Sequence, residues 1–287
     1  DYFCQEYQRA RTPHPCLACN EKIKFQFLLQ RALFLEADYV ATGHYARIAR
    51  QEDGFHLYKA LDARKDQSYV LYAMGQEELS HTLMPIGAYT KDEVRRLARQ
   101  ADLPNADKPD SQEICFIPWG DYRQFLAQRI QSRPGDIVDS QGNILGRHNG
   151  IEFFTVGQRR GLGIAAGKPM FVVRIDAETG RVVVGPEEEL YSQALWASQV
   201  KYTQGRPPEG PVEVTIKVRY KSPEVAATLF PRGSQALVRF SQPLRAVTPG
   251  QAVVFYRGEE VLGGGIIEAP VDQAEVVEVG EAIQTSS

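Results

Sequence analysis

At 287 residues the chain is long enough for two or three domains, and 43% hydrophobic against 24% charged residues supplies ordinary globular cores. A net charge of −3 excludes indiscriminate nucleic-acid binding, so any RNA site must be a local patch. No apolar run reaches the roughly 18 residues of a membrane helix, no leader is visible, and four cysteines are too few for a disulfide scaffold, which suits a reducing cytoplasm.

Residues 1–10 are polar with spaced aromatics (Tyr2, Phe3, Tyr7) and read as the end of a helix. Two cysteines three apart follow on a proline-bounded turn, Thr12-Pro-His-Pro-Cys-Leu-Ala-Cys-Asn20. Asn20 can cap a helix over 21–37, and Ile23, Phe27, Leu28, Ala32 and Phe34 would bury most of it. Cys19 would then sit just before a helix N-terminus, which favours its thiolate. Residues 38–44 read as a short strand running into a turn, where Gly43 permits close approach of a ligand. His44 beside it is ambiguous from the residues alone. Two alternating runs, 45–50 and 55–60, flank Asp53-Gly54, a hairpin signal. Lys65-Asp66-Gln67 suits a solvated helix start, although Gln67 can also donate and accept at a base edge.

Thr90-Lys-Asp-Glu93 is a capping box, with an apolar stripe of Val94, Leu97, Ala98 and Ala101 behind it. A polar loop, 105–113, then delivers Cys115 in the setting D-S-Q-E-I-C-F, and a helix around 122–130 follows. From Ser132 the texture changes to short alternating runs. Residues 136–139 and 143–148 flank a turn at Gln141-Gly142, and 171–176 and 181–185 flank Glu178-Thr-Gly180, with the strands antiparallel. Between them Arg159 and Arg160 stand in a glycine-framed loop suited to phosphate contact. A further β-rich unit contains 212–220, 236–240, 252–256 and 261–267, the spacing of a small barrel. In its first strand Val212, Val214, Ile216 and Val218 face inward. Arg219, Tyr220 and Lys221 group cation and aromatic at that strand's end. The tail beyond Pro270 is acidic, with no Lys or Arg, and reads as disordered.

Three thiols in two segments, Cys16, Cys19 and Cys115, suit redox or sulfur chemistry, or a metal. Structural zinc would also require Cys4, because a closed site takes four ligands.

The ordered motifs T-P-H-P-C-L-A-C-N-E-K-I-K-F, A-T-G-H-Y-A-R, K-D-Q-S-Y, D-S-Q-E-I-C-F, G-Q-R-R-G-L-G-I and P-G-Q-A-V-V-F-Y…L-G-G-G-I-I-E resemble those of the tRNA-specific 2-thiouridylases of the MnmA family over about residues 1–270. The resemblance implies an α/β domain of the ATP-pyrophosphatase (adenine nucleotide alpha hydrolase-like) type over 1–130. A central β-rich domain over 131–193, a C-terminal β-barrel that binds tRNA over 194–270 and an acidic tail over 271–287 would follow. Family members open with an S-G-G-x-D-S phosphate loop. That string is absent and the chain starts at Asp1, so we expect a missing first part and an isolated chain that is inactive.

The implied activity is ATP-dependent replacement of O2 of the wobble uridine by sulfur. Cys115 would carry a persulfide loaded by a sulfur-carrier protein, and Cys19 would complete the transfer, leaving a disulfide. Gly43 would contact ATP, with Mg2+ accompanying it. His14, Pro15, Cys16, His44, Lys65, Asp66, Gln67, Arg219, Tyr220 and Gln251 would contact tRNA. Many relatives carry Asp where this chain has Cys16, which leaves open a second route to the same product, through a [4Fe–4S] cluster on Cys16, Cys19 and Cys115. An inert tRNA-binding fragment is the remaining alternative.

Overall fold

The computed structural model describes residues 1–109, 114–117, 120–165 and 167–271. The expected acidic tail beyond Val271, and residues 110–113 of the Cys115 loop, lie outside them.

The N-terminal region holds α1 (Tyr2–Gln8), α2 (Pro15–Ala18), a π-helical stretch Cys19–Leu28 and α3 (Leu29–Phe34). Next come β1 (Val40–Ala41), the hairpin β2 (Ala46–Gln51) and β3 (Gly54–Lys59), α4 (Gln76–Ser80), β4 (Thr82–Leu83), α5 (Lys91–Gln100) and α6 (Tyr122–Ala127). β1 and β4 pair in parallel, the α/β signature of this region.

Two expectations change here. The helix begins at Pro15, because proline is pre-set for a first helical position whose N–H has no partner to make. Cys19 therefore lies inside the helical run, and Asn20 is no cap: its side-chain amide donates to the Val70 carbonyl (3.0 Å) in the interior. The buried face also differs from the expected one. Asn20, Phe25 and Leu29 are buried, five and four residues apart, while Ile23, Phe27, Leu28 and Phe34 are exposed. An i→i+5 helix turns fewer degrees per residue, so a 3.6-residue period places the wrong side chains inward. On α5 the capping box forms, with Glu93 N donating to Thr90 Oγ1 (3.3 Å) and Thr90 N donating to Glu93 Oε2 (2.7 Å). Its apolar stripe is nonetheless unburied among the described residues.

The middle sheet runs in the order β6-β5-β8-β7, from β5 (Gly135–Asp139), β6 (Ile144–His148), β7 (Phe171–Asp176) and β8 (Arg181–Gly185). Both hairpins form, but β5 and β8 pair in parallel, so the unit is not wholly antiparallel.

The last unit is a closed six-stranded barrel. It is built from β9 (Tyr191–Tyr202), β10 (Val212–Lys217), β11 (Val225–Arg232), β12 (Gln235–Arg245), β13 (Ala252–Arg257) and β14 (Glu260–Val271). The β13–β14 pairing closes it. The continuous apolar run Ala252–Tyr256 has a direct cause. Val253 and Phe255 fill the barrel, while Ala252, Val254 and Tyr256 pack outward against Leu57, Tyr69 and Leu71, so the strand is buried on both faces. β3 adds to β14 (Leu57↔Val261, Tyr58↔Glu260), which fuses the N-terminal hairpin to the barrel sheet. No helix among the described residues is long and apolar enough to cross a membrane.

Candidate functional site

The first thiol turn is mounted on the barrel. Thr12 N donates to the Pro249 carbonyl (2.9 Å), and Gln251 Nε2 donates to the Thr12 carbonyl (2.7 Å). Pro13 and Leu17 are buried, which pins the turn on both sides of an exposed Cys16. Cys19 is half-buried. The His14 ring meets Tyr69 and Tyr220 at 6.0 Å each, and Tyr69 and Tyr220 meet at 6.0 Å. Tyr69 OH donates to the Ala252 carbonyl (2.9 Å), tying this aromatic group to β13.

The second thiol is held differently. Cys115 is exposed on a turn closed by Ile117 N donating to the Ile114 carbonyl (2.8 Å). Ile117 is buried among Phe3, Tyr7, Leu126 and Ile130, and the Phe116 ring packs edge-on against Phe3 at 5.6 Å. The chain thus presents Cys115 outward between two apolar anchors on α1 and α6. Cys4 packs against the same apolar cluster.

All four cysteines are free thiols. The Cys16 thiol is pushed above its ordinary range, first by loss of surrounding water and then by the negative charges of Cys115 and Cys19, with Lys24 opposing. Cys115 and Cys19 both act on Cys16, so the two segments share one electrostatic neighbourhood. Among the described residues, no three His, Cys, Asp or Glu side chains stand as a group able to hold a metal ion. The thiols therefore do not converge on a single ion such as zinc in this arrangement.

Gly43 lies exposed at the end of β1, and a Cβ there would meet only Ile86 Cδ1, at 3.9 Å. Its own protein leaves the space beside it open, which suits an approaching ligand. His44 is buried: Nδ1 contacts Thr42 Oγ1 (2.9 Å), Nε2 contacts Lys24 Nζ (3.3 Å) and the ring lies 5.8 Å from Phe25. Burial, then Lys24, lowers its pKa to about 4, so the imidazole is neutral at pH 7.

The K-D-Q segment is drawn inward. Asp66 accepts from Ala60 N (3.0 Å), Ser68 N (3.2 Å) and Ser68 Oγ (2.8 Å), and Lys217 Nζ approaches it at 3.8 Å. Gln67 Oε1 accepts from Tyr45 N (2.9 Å). Lys65 is half-buried, its backbone N–H donating to the Asp62 carbonyl (2.9 Å). Arg219 donates through Nη2 to the Ala246 carbonyl and to Thr248 Oγ1 (2.8 Å), so it braces the loop that ends at Gln251. Burial and Arg245 lower its pKa.

Residues distant in sequence are thereby brought into one run of contacts. His44 leads by its chain neighbour Tyr45 to Gln67, then through Tyr69 to His14 and Tyr220, and through Thr12 to Gln251. Arg159 and Arg160 are exposed, and none of the contacts just described involves them. Sequence reasoning missed Lys24, Thr42, Tyr69 and the Lys59–Glu224 pair (2.6 Å) over the Tyr256 ring. Lys24, Thr42 and Tyr69 carried a signal, since each lies inside one of the quoted motifs, whereas Lys59 and Glu224 carried none.

Three family models match in chain order: a tRNA methyl transferase HUP domain over residues 1–119, a tRNA methyl transferase PRC-barrel domain over 123–186 and an aminomethyltransferase beta-barrel domain over 192–267. The tRNA-specific 2-thiouridylase MnmA of Halothermothrix orenii is 50% identical over 270 residues, covering 93% of this chain and 75% of that protein. Its namesake in Moorella thermoacetica is 48% identical over 274 residues, covering 94% and 77%. That of Clostridium perfringens is 47% identical over 272 residues, covering 94% and 76%. Matching over nearly its whole length, the chain belongs to the MnmA family of tRNA-specific 2-thiouridylases.

Proposed function

We propose that this chain replaces O2 of the wobble uridine in tRNA by sulfur, using ATP with Mg2+ and a persulfide delivered by a carrier protein in the cytoplasm. The observation that carries the reading is the convergence of the first thiol turn with His14, Tyr220 and Gln251, together with a second exposed thiol, Cys115, held outward on the apolar cluster of α1 and α6.

The C2 carbonyl of uracil is a poor electrophile, and ATP supplies the chemistry that turns its oxygen into part of a leaving group. Gly43 would admit the nucleotide. The target base must leave its stack to reach the thiols, and His14, Pro15, Tyr220 and Lys65 would receive the surrounding RNA. O2 first attacks the α-phosphate of ATP and pyrophosphate departs; the terminal sulfur of a Cys115 persulfide then attacks C2, and AMP departs with the former O2. The Cys19 thiolate then attacks Cys115 Sγ. The bond between the two persulfide sulfurs breaks, its electrons stay on the sulfur now attached to C2, and a Cys19–Cys115 disulfide remains for a thiol reductant to reopen. Asp66 and Gln67 hold the adjoining loop through the chain's own backbone.

Methyl transfer stands in the descriptions of the matching family models and thiolation in the names of the relatives, and the exposed Cys16 and Cys115 favour sulfur. The string S-G-G-x-D-S does not occur within residues 1–287, so the assay joins a relative's segment carrying it ahead of Asp1. The modified nucleoside is then analysed by mass spectrometry. Oxygen-to-sulfur exchange at the wobble position is the expected result. A methylated nucleoside, or sulfur elsewhere in the tRNA, would overturn the reading.

A further inference from the structure

We infer that Gln251 is a positioning residue for the first thiol turn, so that the barrel sets where Cys16 and Cys19 stand. The mount is specific. Gln251 Nε2 donates to the Thr12 carbonyl (2.7 Å), while its backbone is fixed by Ile267 N donating to the Gln251 carbonyl (2.8 Å). The preceding residue, Gly250, has φ +88°, and a Cβ there would lie 2.8 Å from Thr12 N and 2.9 Å from Arg11 Cβ. The loop thus presses directly on the strand of chain that leads to the thiols.

The link is also stiff. Only Pro13, His14 and Pro15 separate Thr12 from Cys16, and both prolines have φ locked near roughly −65°. Pro13 is buried and the His14 ring is flanked by Tyr69 and Tyr220, so a displacement at Thr12 has little slack in which to dissipate. On the other side, Arg219 braces the same loop at Ala246 and Thr248. RNA that engages Arg219 or Tyr220 would therefore act on the thiol turn through Gln251. Cys115 is seated on a different support, the cluster of α1 and α6, and provides an internal control.

This inference uses the sulfur-transfer reading only for its consequence, so its test omits ATP, tRNA and persulfide. The 287-residue chain is alkylated with iodoacetamide, and rates at Cys16, Cys19 and Cys115 are read separately by peptide mass mapping. Gln251→Glu puts a carboxylate against the Thr12 carbonyl, and Gln251→Lys keeps a donor of sufficient reach. Near-UV circular dichroism checks that each variant is folded. In Gln251→Glu, rates at Cys16 and Cys19 should change by roughly three- to tenfold, the size of one lost hydrogen bond, with Cys115 unmoved. Gln251→Lys should return them toward wild type. Unchanged rates at Cys16 and Cys19 would overturn the inference. Equal changes at all three cysteines, or no rescue by lysine, would overturn it as well. Failure of thiolation in a separate assay would leave the alkylation result standing.

Discussion

His44 gives the sharpest quantitative test of the site's electrostatics. Its folded-state pKa is lowered to about 4 from an ordinary 6.5, first by burial and then by Lys24 3.3 Å away. A group depressed in the folded state contributes its full stability above the unfolded value, and that contribution is lost as pH falls from 6.5 through 4. At pH 5 the unfolded imidazole is almost wholly protonated and the folded one almost wholly neutral. The linkage relation then gives a loss of about 2 kcal/mol relative to pH 8, approaching about 3.4 kcal/mol below pH 4. The His44 ring resonance would be followed by NMR between pH 8 and 4, assigned by its disappearance in His44→Gln. Urea unfolding of both proteins at pH 8 and pH 5 supplies the energy. Wild type should lose about 2 kcal/mol more than His44→Gln over that interval. A ring that titrates near 6.5, or equal losses in the two proteins, would refute the reasoning. The functional corollary is that neutral His44 carries no phosphate charge at pH 7, so His44→Gln should leave the salt slope of tRNA binding unchanged.

Lys65→Ala should weaken tRNA binding and lower its salt slope by roughly one phosphate contact, read from affinities at several salt concentrations. Cys115→Ser should bind tRNA like wild type while abolishing sulfur transfer; a comparable loss of affinity would make Cys115 structural. Ile117→Ala removes a buried anchor of the Cys115 turn and should cost about 2–5 kcal/mol of local stability. Hydrogen exchange should then rise in α1 and α6 before it rises in the barrel, and a uniform rise would contradict the separate mounting of the two thiol segments.

Local rules carried the hairpin at Asp53-Gly54, the Thr90 capping box and the alternation of 212–218, because each depends on neighbours a few residues apart. The helix after Cys19 was misplaced because its π-helical turns bury Asn20, Phe25 and Leu29 on a period the usual template does not test. β9 escaped definition, since Gln199 at φ 51° and register shifts against β14 interrupt its two-residue alternation. At the site, cysteine spacing pointed to thiol chemistry and the motifs pointed to a family. Neither could reveal that Arg219 and Gln251 spend their donors on the Ala246 and Thr12 carbonyls, because those partners lie 27 and 239 residues away. The fusion of β3 to β14 was hidden for the same reason.

The sulfur relay predicts one covalent product that no alternative shares. With the phosphate-loop segment joined, Cys115 is loaded with a persulfide and a single turnover is run with ATP and excess tRNA in the absence of reductant. The protein is then digested and mapped for disulfides while 2-thiouridine is counted in the RNA. The account predicts a Cys19–Cys115 disulfide in one-to-one proportion with 2-thiouridine, with Cys16 still a free thiol. Thiolated tRNA formed without that disulfide, or formed only after iron and sulfide are supplied and lost with Cys16→Asp, would contradict it.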